Sequence, residues 1–461
     1  MSVDTGKAAS VAEIAQRLRT TFATGRTRPL AWRKTQLAGL ERLLTEQEEA
    51  IAAALAEDLG RSAAEAFIGD IASTKAEAAF ARRKLGRWAK RRRTSVPLTV
   101  MPGRGWYQFE PLGVVLVIGP WNYPVYLTLG PLVGALAAGN CAVVKPSEHA
   151  PRTSALLAEQ LPRYLDPDTV AVVEGDADVT QSLLAEGLDH AFFTGGTEIG
   201  KKVMAAAAKH LTPVTLELGG KSPVIVTAKA DIEVAARRIA WMKLLNSGQT
   251  CIAPDYVLVE HSVRDQFLDL LRAAVSTFRQ GSSPGMRIVN ERQFGRLRGL
   301  IDGAGGEVVL GGRADAGELS IEPTVVVDPD PGSPLMSEEI FGPVLPVLTT
   351  SSVSDAIAFV NARPKPLAIY LFSGDKGERG AVLGGTSSGG VVINHLAFHC
   401  MTPQLPFGGV GDSGMGSYHG KWGFEAFSHK KAVVAKPARP DIALLYPPYT
   451  PAKMRAIRRF F

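Results

Sequence analysis

Between Leu112 and Val144 the chain carries no Asp, Glu, Lys or Arg. A stretch of that kind must be buried in protein or in lipid. Lipid is the poorer reading. Pro120-Trp121-Asn122-Tyr123-Pro124 interrupts the run, and Gly130, Pro131, Gly134, Gly139 and Asn140 follow. Neither unbroken part reaches the roughly 20 apolar residues that a spanning helix needs. The pattern predicts a strand over Gly113–Ile118, then a loop, a helix over Pro124–Ala138 and a strand over Cys141–Val144. A continuous apolar run with four β-branched residues, as here, is typical of a strand covered on both faces, which is the condition of a parallel sheet.

The same alternation continues. Helix is expected over Thr153–Gln160, strand over Val170–Val173, helix near Val179–Ala185, strand over His190–Thr194 and helix over Ile199–His210. After Leu218 it resumes with strand Pro223–Val226, helix Asp231–Leu245, strand Tyr256–Val259 and helix Val263–Phe278. Short links between alternating elements argue for an α/β fold with parallel sheets. A second α/β domain is expected to begin near Gly219, and Gly281–Pro284 is too short a link to separate domains. The first 90 residues read as helices: Leu37, Leu40, Leu44, Ile51, Leu55 and Leu59 recur at helical spacing, with Gly60 as a C-cap. Thr94–Glu110 reads as an extended hairpin, and Ala432–Ala435 as a short β-like run before a Pro-rich tail.

With 461 residues the chain is long enough for two or three domains. Its formal charge of +6 is local. Arg82, Arg83, Lys84, Arg87, Lys90, Arg91, Arg92 and Arg93 supply eight positive charges in one short stretch, with no interleaved aromatic beyond Trp88. That favours a solvated helix end over a nucleic-acid patch, so no nucleic-acid partner is expected. The cysteines Cys141, Cys251 and Cys400 are odd in number and widely spaced, so no disulfide framework is implied. Met1–Arg17 has no apolar signal core. A cytoplasmic setting fits both features. The basic, apolar end Arg455–Phe461 is too short for a stable membrane anchor.

Three patterns are decoys. Gly195–Lys202 nearly matches a P-loop and follows a strand, but Lys202 stands where Mg²⁺ needs a hydroxyl. Its strand–turn–helix form still offers backbone N–H groups to a dinucleotide pyrophosphate. Gly409–Gly414 fits G-x-G-x-x-G without a preceding strand and reads as a loop. His395, His399 and Cys400 lack the Glu of a zinc helix, and no metal is expected.

Three polar residues stand in apolar surroundings. Cys251 lies in the small, polar loop Asn246–Cys251, where backbone donors can approach its sulfur; the alternative is an inert buried thiol, the reading kept for Cys141. Glu217 ends a strand-like run, as a cleft carboxylate or as an ion pair with Lys221. Asn122 follows the first buried strand, where ligands gather at the carboxyl ends of parallel strands. It is either an oxyanion donor or a turn residue beside Pro124.

Together these segments resemble the aldehyde dehydrogenase superfamily, and within it class 3. The resemblance is carried in order by Gly119–Pro124, Val144–Glu148, Phe193–Gly200, Leu216–Pro223, Gly248–Cys251, Glu338–Pro343 and Leu405–Gly411. Gly414–Gly420 and Tyr446–Tyr449 point to class 3. It implies a Rossmann-like NAD(P)-binding domain (residues 1–93 and 111–217) and a catalytic domain (218–417), both α/β with parallel sheets. A small β oligomerisation element and tail (94–110 and 430–449) would support a homodimer. It implies oxidation of an aldehyde to the acid through a cysteine thiohemiacetal and thioester, with NAD or NADP as acceptor. Cys251 resembles the nucleophile, Glu217 the general base and Asn122 the oxyanion donor. Trp121, Lys145, Glu148, Gly195, Gly196, Gly200, Glu339 and Phe341 match cofactor positions. Gly196 departs from the Ser often found there, at the expense of one phosphate contact. Tyr123, Trp241 and Phe398, with Trp121 and Met242, would line an apolar funnel for a medium- or long-chain aliphatic or aromatic aldehyde. The alternatives are a CoA-acylating reductase on the same fold, a cysteine hydrolase, and a non-catalytic structural protein.

Overall fold

The computed structural model describes residues 10–280 and 286–460, so the link Gly281–Pro284 lies outside it. The charge-free run forms the strand Val114–Ile118, every residue of which is buried, and the helix Tyr126–Ala138. The strand is the centre of a six-stranded sheet. Its order is Gly414–Met415, Val214–Glu217, His190–Thr194, Val114–Ile118, Cys141–Lys145, Val170–Val172, parallel except for Gly414–Met415. Burying five Val, Leu and Ile side chains contributes about 1.5–3 kcal/mol each, so no charge is tolerated there. The chain leaves Val114–Ile118 in one direction, through Cys141–Lys145 to Val170–Val172. It then returns to the opposite side at His190–Thr194. The carboxyl ends of Val114–Ile118 and His190–Thr194 therefore flank a switch point, where successive loops part and leave a crevice.

A seven-stranded sheet forms the second layer system. Its order is Glu307–Leu310, Thr324–Val327, Val344–Thr350, Tyr256–Glu260, Pro223–Val226, Ala368–Phe372, Gly390–Ile393, with only Glu307–Leu310 antiparallel. The two sheets join through Leu218–Ser222, immediately after Glu217. Among the described residues no helix is long and apolar enough to cross a membrane.

The α/β architecture with two parallel-rich sheets and a small antiparallel sheet agrees with the expectation. Differences lie at the margins. The leucine series over residues 37–59 forms two helices, Leu30–Glu46 and Glu48–Leu59, which break at Gln47 without leaving the core; Gly60 caps the second at φ 72°. The hairpin consists of Arg92–Thr94 and Arg104–Pro111, and a third strand, Ser428–Ala435, pairs with the latter. The sequence marks only the end of that strand, because His429, Lys430 and Lys431 face solvent and hide the pattern. A ten-residue helix, Pro451–Phe460, occupies what reads as a tail. In the basic run, Arg82 binds Glu41 through two hydrogen bonds of 2.5 and 3.1 Å.

Candidate active site

The switch-point turn Gly119–Val125 cannot hold its shape through strand hydrogen bonds. A buried pair does so instead. Asp70 accepts from the backbone N–H groups of Val125 and Tyr126 at 2.9 and 2.8 Å and pairs with Arg61. Arg61 also donates to the Asn122 carbonyl. Both charged side chains are essentially inaccessible. Removing one partner would leave an uncompensated charge at a cost of about 3–5 kcal/mol. Arg61 and Asp70 carry no motif, so spacing alone gives no sign of them. The turn fixes Asn122, whose Nδ2 donates to the Gln249 carbonyl at 3.1 Å, one residue from Thr250-Cys251.

The Cys251 loop is wound against its preference. Asn246, Ser247 and Gly248 are all left-handed, with φ of 53°, 50° and 69°. At Gly248 a Cβ would lie 2.2 Å from the Gly342 carbonyl oxygen, so only glycine fits. Conformations of this kind cost of order 1–3 kcal/mol each and persist where surroundings over-determine them. Here Asn246 Nδ2 donates to the carbonyls of Asn122 and Gln249 at 3.0 and 2.9 Å, and Ser247 Oγ donates to Met286 O at 2.6 Å. Gln249 Oε1 accepts from Val289 N–H at 3.1 Å. Asn246 thus ties the Cys251 loop to the Asn122 turn.

Glu217 ends its strand beside Thr194, and the Gly195 N–H donates to its carbonyl at 3.0 Å. The residue is 3% exposed, and neither carboxyl oxygen has a hydrogen-bond partner among the described residues. Lys221 is not its partner: that ammonium pairs with Asp255 and donates to the carbonyls of Leu335 and Glu338, both at 2.8 Å. Burial without compensation lifts the Glu217 carboxyl well above the ordinary range. Burial, then the nearby Glu339 carboxyl, the Cys400 thiol and the Glu217 carboxyl, also push the Cys251 thiol up. Burial thus disfavours the charged form of both groups, the thiolate of Cys251 and the carboxylate of Glu217.

Cys251 and Glu217 line two cavities at once. The first, of about 240 Å³, opens at the switch point and is bounded by Trp121, Asn122, Thr194, Gly195, Gly196, Gly219, Arg296, Glu339 and Phe341. Trp121 and Phe341 meet edge to face at 5.4 Å. Burial raises the Glu339 carboxyl to about 8. Its segment is fixed by Arg296, which donates to the carbonyls of Glu339 and Ile340 at 3.1 and 2.6 Å. A Cβ at Gly219 would fall 2.1 Å from a Glu339 oxygen, so the bare glycine seats that carboxyl. Lys145 ends the neighbouring strand and binds Glu148 at 2.7 Å; neither bounds this cavity. Gly200 also lies outside it, packed beneath Leu218. The residues fit a dinucleotide. Glu339 offers a carboxyl for ribose hydroxyls, the buried Thr194 hydroxyl has no partner among the described residues, and the helix Thr197–Ala208 turns its N-terminus towards the crevice.

Gly196 is the N-cap of that helix, and a Cβ there meets nothing within 4 Å. Gly196→Ser is therefore expected to fold normally and to tighten dinucleotide binding about 3- to 10-fold through one added hydrogen bond. Fluorescence titration with NAD⁺ and NADP⁺ checks this, and weaker binding would contradict it.

The second cavity, of about 470 Å³, is the apolar funnel. Tyr123, Trp241, Met242 and Phe398 line it, but Trp121 does not: the turn sends its ring to the polar side. Tyr123 hydroxyl and Thr250 Oγ1 are 3.0 Å apart. Sequence reasoning missed Tyr126, Cys400, Tyr418 and His419 as residues that line it. Behind them Glu77 accepts from Gly420 N–H at 2.5 Å, and burial raises its carboxyl to about 7. His395 and Cys400 line the funnel and His399 does not; the described residues contain no group able to hold a metal ion.

A thiol, an amide and a buried carboxyl at the meeting point of a dinucleotide crevice and an apolar funnel define an oxidoreductase of the aldehyde dehydrogenase type. The Aldehyde dehydrogenase family model matches residues 1–433, and the chain belongs to that family. It is 47% identical over 454 residues to Aldehyde dehydrogenase family 3 member B1 of Bos taurus, covering 97% of this chain and 96% of that one. It is 45% identical over 452 residues to "Aldehyde dehydrogenase, dimeric NADP-preferring" of Rattus norvegicus, covering 96% and 99%. A substrate-bound state of Staphylococcus aureus AldH superposes with a TM-score of 0.94 at 41% identity, covering 98% of this chain and all of that one. The protein is an aldehyde dehydrogenase with a nicotinamide cofactor, of the class 3 kind that the motifs resemble.

Proposed function

We propose that this enzyme oxidises medium- or long-chain aliphatic or aromatic aldehydes to carboxylic acids through a covalent intermediate on Cys251. The carrying observation is that Cys251 and Glu217 line both the apolar funnel and the polar crevice. An aldehyde brought down the funnel meets the Cys251 sulfur, which loses its proton to solvent and bonds to the carbonyl carbon. The Asn122 amide and the Cys251 backbone N–H stabilise the oxyanion; losing one such donor costs about 10²–10³ in rate. Glu339, Thr194, Gly195 and Gly196, with Trp121 and Phe341, would hold the dinucleotide, and Lys145 and Glu148 would take its adenine-side ribose. When bound, NAD or NADP supplies the oxidising equivalent that turns the thiohemiacetal into a thioester. Glu217 then takes a proton from water, and the water releases the acid from Cys251. Splitting the reaction across a covalent intermediate makes each step easier than direct oxidation.

The three free cysteines support a cytoplasmic setting. Strand Ser428–Ala435 is an edge strand with exposed side chains, which supports a homodimer.

A panel of aldehydes against NAD⁺ and NADP⁺, with and without CoA, tests the proposal. Acid formation independent of CoA is expected. A requirement for CoA would favour the acylating reductase, and no NAD(P)H formation with any aldehyde would refute dehydrogenase chemistry.

A further inference from the structure

The strained Cys251 loop leans on a segment that lines neither the crevice nor, apart from the loop itself, the funnel. Ser247 Oγ donates to Met286 O at 2.6 Å, Gln249 Nε2 to Arg287 O at 3.2 Å, and Val289 N–H to Gln249 Oε1 at 3.1 Å. The peptide groups of residues 286–289 therefore set where the loop sits. On its own side the segment is tied by Ile288 N–H, which donates to Leu319 O at 2.8 Å.

The Arg287 side chain ties it to the other sheet system. The residue is exposed, yet its guanidinium is engaged. Nη2 donates to the carbonyls of Glu57 and Asp58 at 2.5 and 2.8 Å, and Nε to Asp58 O at 3.3 Å. Both carbonyls lie in the last turn of the helix Glu48–Leu59, where a helix leaves its acceptors without internal partners. A cation is favoured at that end by the helix dipole.

This helix end is itself a fixed point. The buried Asp58 carboxylate accepts from the N–H groups of Arg152 and Thr153 at 3.0 and 2.8 Å, at the start of the helix Pro151–Tyr164. Three residues after Asp58 comes Arg61, which donates to the Asn122 carbonyl and pairs with Asp70. The Asn122 turn and, through Arg287, the Cys251 loop thus share one anchor at residues 57–61. Asn122 and Asn246 join the turn and the loop directly at 3.1 and 3.0 Å, so Arg287 closes a ring of contacts. Without it the two parts keep only the direct bonds.

We propose that Arg287 is a positioning residue for the reaction: by clamping residues 286–289 to the Glu57 and Asp58 carbonyls, it keeps the Cys251 sulfur and the Asn122 amide in register. This rests on the Cys251 chemistry proposed above and adds to it a residue that lines neither cavity.

Stopped-flow absorbance with n-decanal and NAD⁺ compares Arg287→Ala and Arg287→Lys with the parent enzyme. In Arg287→Ala the first equivalent of NADH is expected to form about 10- to 100-fold more slowly, the scale of a group misplaced by up to about 1 Å. NAD⁺ affinity should match the parent's, since Arg287 bounds no part of the crevice. Alkylation of Cys251 by iodoacetamide expels iodide and develops no oxyanion, so its rate should also stay near the parent's. Lys keeps the charge but not the planar grasp on two carbonyls, and the loss should shrink to about 3- to 10-fold. A parent-like first-equivalent rate in Arg287→Ala would overturn the proposal and leave aldehyde oxidation standing. Acylation and alkylation falling together would also overturn it, since that marks a collapsed loop rather than lost register. If Arg287→Ala does not fold, Arg287→Lys decides by the same two rates. No NADH from the parent enzyme with any aldehyde would overturn both readings.

Discussion

Cys251→Ala is expected to fold as the parent enzyme does and to lose aldehyde-dependent NAD(P)H formation by roughly 10⁶-fold, the scale of deleting a covalent nucleophile. The fold should survive because the strain of Asn246–Gly248 is held by Asn246, Ser247 and Gln249, none of which bonds through the Cys251 side chain. Removing one sulfur should shift stability by no more than about 1 kcal/mol. Dinucleotide binding should persist, since Glu339, Thr194 and Gly196 are untouched. Calorimetry and cofactor titration beside the kinetics separate these outcomes. NAD(P)H formation at the parent rate would refute the nucleophile; lost binding together with lost activity would mean a collapsed site instead.

Glu217→Gln is expected to act later in the cycle. Gln is nearly isosteric, so packing against Thr194 and Leu218 should hold. It cannot take a proton from water, and positioned general bases contribute about 10²–10⁴-fold. A first equivalent of NAD(P)H should form rapidly, and steady-state turnover should fall by about that factor. pH adds a second signature. Burial raises the Glu217 carboxyl well above its ordinary range. The base form therefore grows as pH rises through that raised range, and parent kcat should rise with it. In the Gln variant that dependence should flatten. Stopped-flow absorbance read across pH checks both; unchanged steady-state turnover would count against Glu217 as the base.

The sheets were legible because burial on both faces leaves no choice of residue: Val114–Ile118 and Cys141–Val144 announce themselves by lacking charge where they cross the core. Cys251, Glu217 and Asn122 stood out for the opposite reason, as polar groups in apolar or glycine-rich settings. What stayed hidden acts through tertiary contact. Arg61 lies in the link after Gly60 and Asp70 on a helical segment nine residues further on, and only the fold shows that they clamp the Asn122 turn. Trp121 and Tyr123 are two residues apart in one turn, yet the backbone sends the first to the polar crevice and the second to the funnel. Lys221 follows Glu217 closely enough to suggest an ion pair, but Asp255 takes it and leaves the carboxyl unpaired. Strand Ser428–Ala435 was marked only at its end because an exposed edge strand lacks an apolar face.

The central claim is a bond between the Cys251 sulfur and the carbonyl carbon of the aldehyde. Glu217→Gln mixed with n-decanal and NAD⁺, quenched after the first equivalent of NADH, digested and mapped by mass spectrometry, tests it most directly. One acyl group per chain on the peptide containing Cys251 is the predicted result. Acyl label on Cys141 or Cys400, or a full equivalent of NADH with no label on any peptide, would contradict it.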